Sequence, residues 1–343
     1  MFPEIKNRQF SNFNSAYKVG LQDIATYGFE VDSTTDPMSV GSAFGCQARP
    51  TKEIIGYSFM LESPADRLLS LKSKKINLPF AVANSLWTIS GSDKLDFIAF
   101  YNSRGRNFSD NQVTLHGAHG KRLFDTDGID QIEAIIERLR QDPYSRRTVA
   151  PMYHPSDNKA SSKDIPCPIA IQFLRRSGKL HAITYMRSQS AAMVLPYDVY
   201  SFTFLHEALA VELGCELGTY HHVSGSFHYY LDEETVVNRV IAEEDALIIN
   251  SSHFVPEMPR TVSPLKMVST LMKIEADIRN QIQHEQKLNR ILIPLLPDIP
   301  EYWRNLLFIL MVRLAEKAGI ETQQYITCLP EYFSTYFENS VSQ

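Results

Sequence analysis

Between Arg146 and Leu231 the chain alternates short strand-like runs with one long helix, an order that few folds can hold. Three runs rich in β-branched and aromatic residues, "RRTVAPMYH", "CPIAIQFLRR" and "KLHAITYMRS", follow one another, with "RSGK" as a turn between the last two. Such runs bounded by turn residues predict strands. "DVYSFTFLHEALAVELG" (Asp198–Gly214) then reads as a long helix with Asp198 near its start, and "GTYHHVSGSFHYYL" as another strand pair. Strands and helix in this order make an α+β body.

Other elements fit around that body. Phe13–Tyr27 suits a helix and "TKEIIGYSFML" (Thr51–Leu61) a strand. "LPFAVANSLWTISG" (Leu78–Gly91) reads as a buried helix closed by Gly91. "GIDQIEAIIERLRQDP" (Gly128–Pro143) is amphipathic: Ile129, Ile132, Ile135, Ile136 and Leu139 form its apolar face, and Pro143 stops it. From Glu257 onward the chain reads as helices separated by the Pro-rich "ILIPLLPDIPEYW". A boundary near Pro256 is expected, dividing an α+β domain (1–256) from a helical C-terminal region (257–343).

Composition removes several classes of function. A net charge of -5 gives no global pull toward nucleic acid or anionic lipid, so any polyanion site must be local. Cys46, Cys167, Cys215 and Cys328 are widely spaced, with no CxxC pair and no Cys/His cluster, so neither a disulfide framework nor a metal site is expected. "MFPEIKNRQF" lacks a basic segment followed by an apolar core, and the apolar run Asn305–Gly319 is short and interrupted by Arg313. These features predict a cytoplasmic protein without membrane association.

Four segments of the body carry chemistry together: "DPYSRRT" (Asp142–Thr148), "IPCP" (Ile165–Pro168), "YMRSQSAAMVLPYDVYSF" (Tyr185–Phe202) and "GSFHYY" (Gly225–Tyr230). Singly, each has an ordinary explanation; a Cys on an apolar strand, for instance, is usually a small buried hydrophobe. In this order and spacing they resemble the thymidylate synthase family, over roughly Phe13 to Glu234 and most strongly from Asp142 to Tyr230. The resemblance implies a thymidylate synthase-like mixed sheet with packed helices, to which this chain adds a helical C-terminal extension. It also implies one-carbon transfer from 5,10-methylenetetrahydrofolate to carbon 5 of a pyrimidine nucleoside monophosphate.

Carbon 5 of a pyrimidine is a poor nucleophile until a thiolate adds at carbon 6, and that thiolate needs nearby positive charge. By resemblance Cys167 is the nucleophile. Arg187, Arg146 and Arg147 would bind the 5′-phosphate, with Arg146 and Arg147 supplied in trans by the second subunit of a homodimer. Ser188 would donate to the phosphate, a task that guanidinium forks also suit. His228 and Tyr230 would contact the ribose, Gln172 would order the strand beside the nucleophile, and Trp87 and Ser190 would face the folate.

Departures from the family name the activity more sharply than the matches. Asp198 occupies the place of an Asn that reads uracil; a carboxylic acid can accept from the cytosine N4 amine and, when protonated, donate to N3. Asn84 stands where the family has a proton-relaying Glu, and an amide exchanges no proton near neutral pH. His119 replaces a Tyr near carbon 5 and is a candidate base for the C5 proton. Ser190 stands where a folate-contacting Asp is expected and Val194 where a Gly is. Thr34 lies nearest the place of a missing phosphate-binding Arg, for which Arg49 is a candidate substitute. The reading expected is hydroxymethylation of CMP or dCMP. The alternatives are a uracil-nucleotide methyltransferase and a nucleotide-binding protein of this family that has lost catalysis.

Overall fold

A computed structural model describes residues 8–32, 49–243, 255–285 and 299–338. In chain order they form β1 (Arg8–Phe10), α1 (Phe13–Tyr27), β2 (Phe29–Val31), β3 (Thr51–Leu61), α2 (Leu78–Ile89), α3 (Leu95–Tyr101), α4 (His119–Phe124) and α5 (Gln131–Gln141). Then follow β4 (Val149–Pro151), β5 (Pro168–Arg176), β6 (Lys179–Ser190), α6 (Leu195–Glu212), β7 (Glu216–Tyr230) and α7 (Glu234–Ala242). The chain continues with α8 (Pro264–Glu285), α9 (Glu301–Ala318), α10 (Gln323–Ile326) and α11 (Glu331–Glu338).

The strands form one mixed sheet in the order β1-β3-β7-β6-β5-β4, with β2 on the same edge of β3 as β1. β5 and β6 make the expected antiparallel hairpin, whereas β6 and β7 run parallel, joined by α6. The expected strand pair at residues 218–231 is instead one continuous strand, β7, paired antiparallel to β3 and parallel to β6. Gly225 does not break it. A Cβ there would lie 2.9 Å from the Arg187 carbonyl oxygen, so glycine lets β7 close on β6 beside Arg187.

Local chemistry sets the helix starts. The Asn12, Asn77 and Asp130 side chains cap α1, α2 and α5 by accepting from Ser15 N, Phe80 N and Glu133 N. Since α5 begins only after Asp130, Ile129 falls outside it and is 60% exposed, leaving Ile132, Ile135, Ile136 and Leu139 as its buried face. α6 begins three residues earlier than the sequence suggested, with Pro196 in its first turn, so Asp198 is inside the helix and caps nothing.

One face of the sheet is covered in layers. α1 packs on β3 and β7, and α6 on β6 and β7; α2 packs on α6, α8 on α2 and α6, and α9 on α2 and α8, with Trp303 of α9 edge-on to Phe204 of α6. The run Leu306–Val312 of α9 is buried throughout because that helix is enclosed by its neighbours. The opposite face carries the half-buried alternates Leu174, Ile183, Tyr185 and Val223, and no described helix covers it. Among the described residues no helix is long and apolar enough to cross a membrane.

Candidate active site

Cys167 sits one residue before β5, half-buried, between the buried Pro166 and Pro168. Arg187 on β6 organises it. The Arg187 backbone N–H donates to the Cys167 carbonyl at 2.8 Å, its Nε to the Pro166 carbonyl at 2.9 Å, and its Nη2 to the Ile165 carbonyl at 3.0 Å. The same Nη2 stands 3.7 Å from Cys167 Sγ. One guanidinium therefore both shapes the cysteine turn and touches the sulfur. Burial nevertheless pushes the thiol up to about 11; Arg187 pulls it down, while Asp198 and Asp164 push it up. Within this chain alone the sulfur is a thiol at neutral pH, and a thiolate needs further positive charge.

Asp198, on the first turn of α6, is buried and pushed up to about 7 by that burial, against which one hydrogen bond acts. Gln189 Nε2 donates that bond to Asp198 Oδ2 at 2.9 Å. Behind it, His222 Nε2 lies 3.1 Å from Gln189 Oε1 and Tyr220 Oη lies 3.0 Å from His222 Nδ1.

On β7, Ser226 donates to Glu53 Oε2, and its oxygen lies 3.2 Å from His228 Nδ1. With the hydroxyl proton given to Glu53, the serine oxygen accepts from Nδ1–H, which leaves His228 Nε2 as an acceptor. Burial pushes His228 down to about 4, so it is neutral at physiological pH. Tyr230 stacks edge-on against His228 at 5.4 Å and lies beneath the Arg49 guanidinium at 3.8 Å. Arg49 is in turn gripped by Asp232 through Nε and Nη2, at 2.9 and 2.8 Å. Ser188 faces Ser226 directly across the β6–β7 register.

A second group approaches along α6. Asn84 Nδ2 on α2 donates to Ser201 Oγ at 2.9 Å, and His119 at the start of α4 stacks on Phe202 at 5.5 Å. Gly120 permits that seat, since a Cβ there would lie 2.5 Å from the Thr88 carbonyl oxygen of α2. Burial, aided by Arg122, pushes His119 down to about 4. Asp164 ties this group to the cysteine turn by accepting from Gly117 N at 2.7 Å. Ser190 Oγ is buried without a hydrogen-bond partner among the described residues. Trp87 is only 4% exposed and spends its indole N–H on the Lys94 carbonyl, so it offers little surface to a ligand.

Three of the expected residues stand apart. Arg146 and Arg147 are exposed ahead of β4, beside the middle of β5. Gln172 donates to the Arg146 carbonyl at 3.1 Å and so anchors the double-arginine turn rather than the cysteine. Five residues of strand separate Gln172 from Cys167, roughly 16 Å at strand rise. Thr34 lies outside the described residues. Sequence reading missed Gln189, His222, Tyr220, Ser226 and Glu53. The available signal was the alternation in "YHHVSGSF", which puts polar His222 and Ser224 on the buried face of a strand.

Residues 17–254 match the family model for thymidylate synthase. A deoxyuridylate hydroxymethyltransferase of Bacillus phage SP01 is 31% identical over 216 residues, covering 59% of this chain and 56% of the relative. Another, of Pseudomonas phage M6, is 33% identical over 180 residues, covering 52% and 50%. A thymidylate synthase of Francisella philomiragia is 28% identical over 209 residues, covering 57% and 76%. The chain thus spans about half the length of the two phage relatives.

Proposed function

The chain belongs to the thymidylate synthase family, and from that premise we propose that it attaches a one-carbon unit to C5 of a pyrimidine nucleotide, most simply as a hydroxymethylase of CMP or dCMP. The observation that carries this reading is Cys167, held at the mouth of β5 with Arg187 on its sulfur. In the proposed reaction the Cys167 thiolate bonds to C6 and the ring electrons move to C5, which bonds to the incoming carbon. The incoming carbon's two bonds to its donor's nitrogens would break, those nitrogens taking up the C5 proton, passed on by a base, and one proton of the water whose hydroxyl joins the carbon. The S–C6 bond then breaks to return the thiolate.

Within this chemistry His119 is neutral and has no protein hydrogen bond among the described residues, which suits a proton acceptor at C5. Asn84 orients water through the amide oxygen left over from its bond to Ser201. His228 Nε2 accepts from a ribose hydroxyl, and Ser188 donates to phosphate. Ser190 is suited to hold methylenetetrahydrofolate, because its buried hydroxyl lacks a partner, whereas the enclosed Trp87 contributes packing only. When bound, that cofactor supplies carbon at the oxidation level of formaldehyde.

A homodimer accounts for two observations. The half-apolar sheet face is uncovered by the described residues, and Arg146 and Arg147 are exposed well away from their own Cys167. Two such faces packed together would bring each double arginine to the other subunit's phosphate site and supply the charge that the Cys167 thiol needs.

Asp198 favours a cytosine base. The names of the phage relatives favour a second reading, the same chemistry on dUMP. Tritium release from C5 of CMP, dCMP and dUMP, with and without methylenetetrahydrofolate, separates the two. Cofactor-dependent release from a cytosine nucleotide, lost in Cys167→Ala, is the expected result. Release from dUMP alone would overturn the cytosine assignment, and no release from any of them would overturn catalysis.

A further inference from the structure

Gln189, His222 and Tyr220 take no part in the chemistry above, yet all three are buried in a line that ends on Asp198. We propose that Gln189, held in one orientation by His222 and Tyr220, is the specificity-determining positioning residue that makes Asp198 read cytosine and reject uracil. This rests on the reading that Asp198 contacts the base.

The direction of the line follows from its ends. Gln189 presents its amide N–H to Asp198 Oδ2, so its carbonyl faces His222 and needs the Nε2–H tautomer there. His222 Nδ1 is then an acceptor, and the Tyr220 hydroxyl donates to it. Burial holds His222 neutral, pushing it down to about 3, so a single tautomer persists.

Because Oδ2 accepts from Gln189, a proton on Asp198 belongs on Oδ1, which has no hydrogen-bond partner among the described residues. The neutral carboxyl therefore offers a donor at Oδ1 and a remaining lone pair at Oδ2. Cytosine presents the complement: N3 accepts and the N4 amine donates. Uracil needs the proton on Oδ2, which turns the oxygen that accepts from Gln189 into a hydroxyl oxygen, a poorer acceptor. The line keeps the Gln189 N–H on Oδ2, since turning it over requires an amide flip, a new His222 tautomer and a reversed Tyr220 hydroxyl, all in a dry interior. The proton therefore stays on Oδ1 by preference, and uracil is disfavoured because it must weaken this buried hydrogen bond.

The proton is also where pH acts. Ionisable groups facing Asp198 are Cys167 from the turn before β5 and Tyr220 and His222 from β7, with His119 one turn along α6 on Phe202. Once Asp198 ionises, near pH 7, the donor to N3 is gone and cytosine binding weakens.

The test is the affinity of the full-length chain for dCMP and for dUMP, measured from pH 5.5 to 9. Gln189→Met should lower the dCMP-over-dUMP preference about tenfold. It should also move the alkaline loss of dCMP binding upward, because the missing donor had favoured the ionised acid. Unchanged preference and an unchanged pH limb would overturn the relay. If Gln189→Met does not fold, Tyr220→Phe decides by the same two readouts, with a smaller shift in the same directions. Asp198→Asn tests the underlying reading separately. If it does not turn preference toward dUMP, base recognition by Asp198 fails; if it does while Gln189→Met changes nothing, only the relay fails.

Discussion

α6 carries a buried acid at each end, and the two live differently. Asp198, on its first turn, has one neutral donor among the described residues, Gln189, and keeps its proton to about pH 7. Nine residues on, about 14 Å along the axis, Glu207 is paired with the buried Arg67 through Oε2 and accepts from Met258 N at 2.9 Å through Oε1. Glu212 continues that role one turn later, accepting from Ser263 Oγ and Leu265 N and so capping the start of α8. The lower half of the helix spends its carboxylates on fastening the C-terminal helices. Its upper half leaves a carboxyl underpaired beside a cysteine. Burial alone is thus no mark of function; incomplete satisfaction is.

The comparison breaks most visibly at Arg67. Its guanidinium pairs with Glu207, donates to the Pro64 carbonyl, and lies over Tyr200 and Phe204 at 5.9 and 5.7 Å. Arg67→Met leaves Glu207 charged and buried, which should cost about 3–5 kcal/mol in denaturant unfolding of the full chain. Adding Glu207→Gln should recover part of that loss. A single-variant cost below ~1 kcal/mol would show that the pair does not fasten the helices.

Asp198 should behave in the opposite sense. Its folded pKa of about 7 lies above the ordinary 3.8, so between those values the folded protein holds a proton that the unfolded chain has lost. Stability supplied by this group is therefore complete below about pH 4, falls as pH rises toward 7, and is flat above. Asp198→Asn abolishes that slope while preserving shape. The wild-type-minus-variant stability should accordingly decline across the interval; a flat difference would mean that Asp198 ionises normally in the fold.

What the sequence revealed of these two regions divides along contact distance. Cys167, Arg187, Ser188, His228 and Tyr230 were legible because each sits at a strand end inside a short motif, and the hairpin and parallel crossover then bring those ends together. The relay was hidden: Gln189 and His222 are 33 positions apart on neighbouring strands, and the register does not announce them, since it pairs Gln189 with Phe227 and His222 with Thr184. Arg67 and Glu207 are 140 apart, and nothing local in either segment announces a partner. Trp87 shows the converse difficulty, since an aromatic at helical spacing reads alike whether it faces a ligand or the core, and here it is 4% exposed. The long β7 was misread because Gly225 looks like a turn residue, and only its neighbour across the sheet explains it.

The smallest expected effect lies at the outer edge of the fastened region. Glu275 on α8 is fully buried and accepts from the Tyr101 hydroxyl of α3 at 2.8 Å and from Arg279 Nε at 3.0 Å; Arg279 also reaches Asp96 at 3.7 Å. Tyr101→Phe removes one donor and no volume, and Glu275 retains its guanidinium. The loss should be about 1 kcal/mol, the ordinary net value of one hydrogen bond, with no change in the dCMP-to-dUMP preference. The equivalent deletion at the other end of α6, Gln189→Met, takes away the single donor of Asp198 and should move that preference while costing little stability. If Tyr101→Phe also shifted base preference, the two regions would be coupled through α3 and α2, and the division of labour along α6 would have to be abandoned.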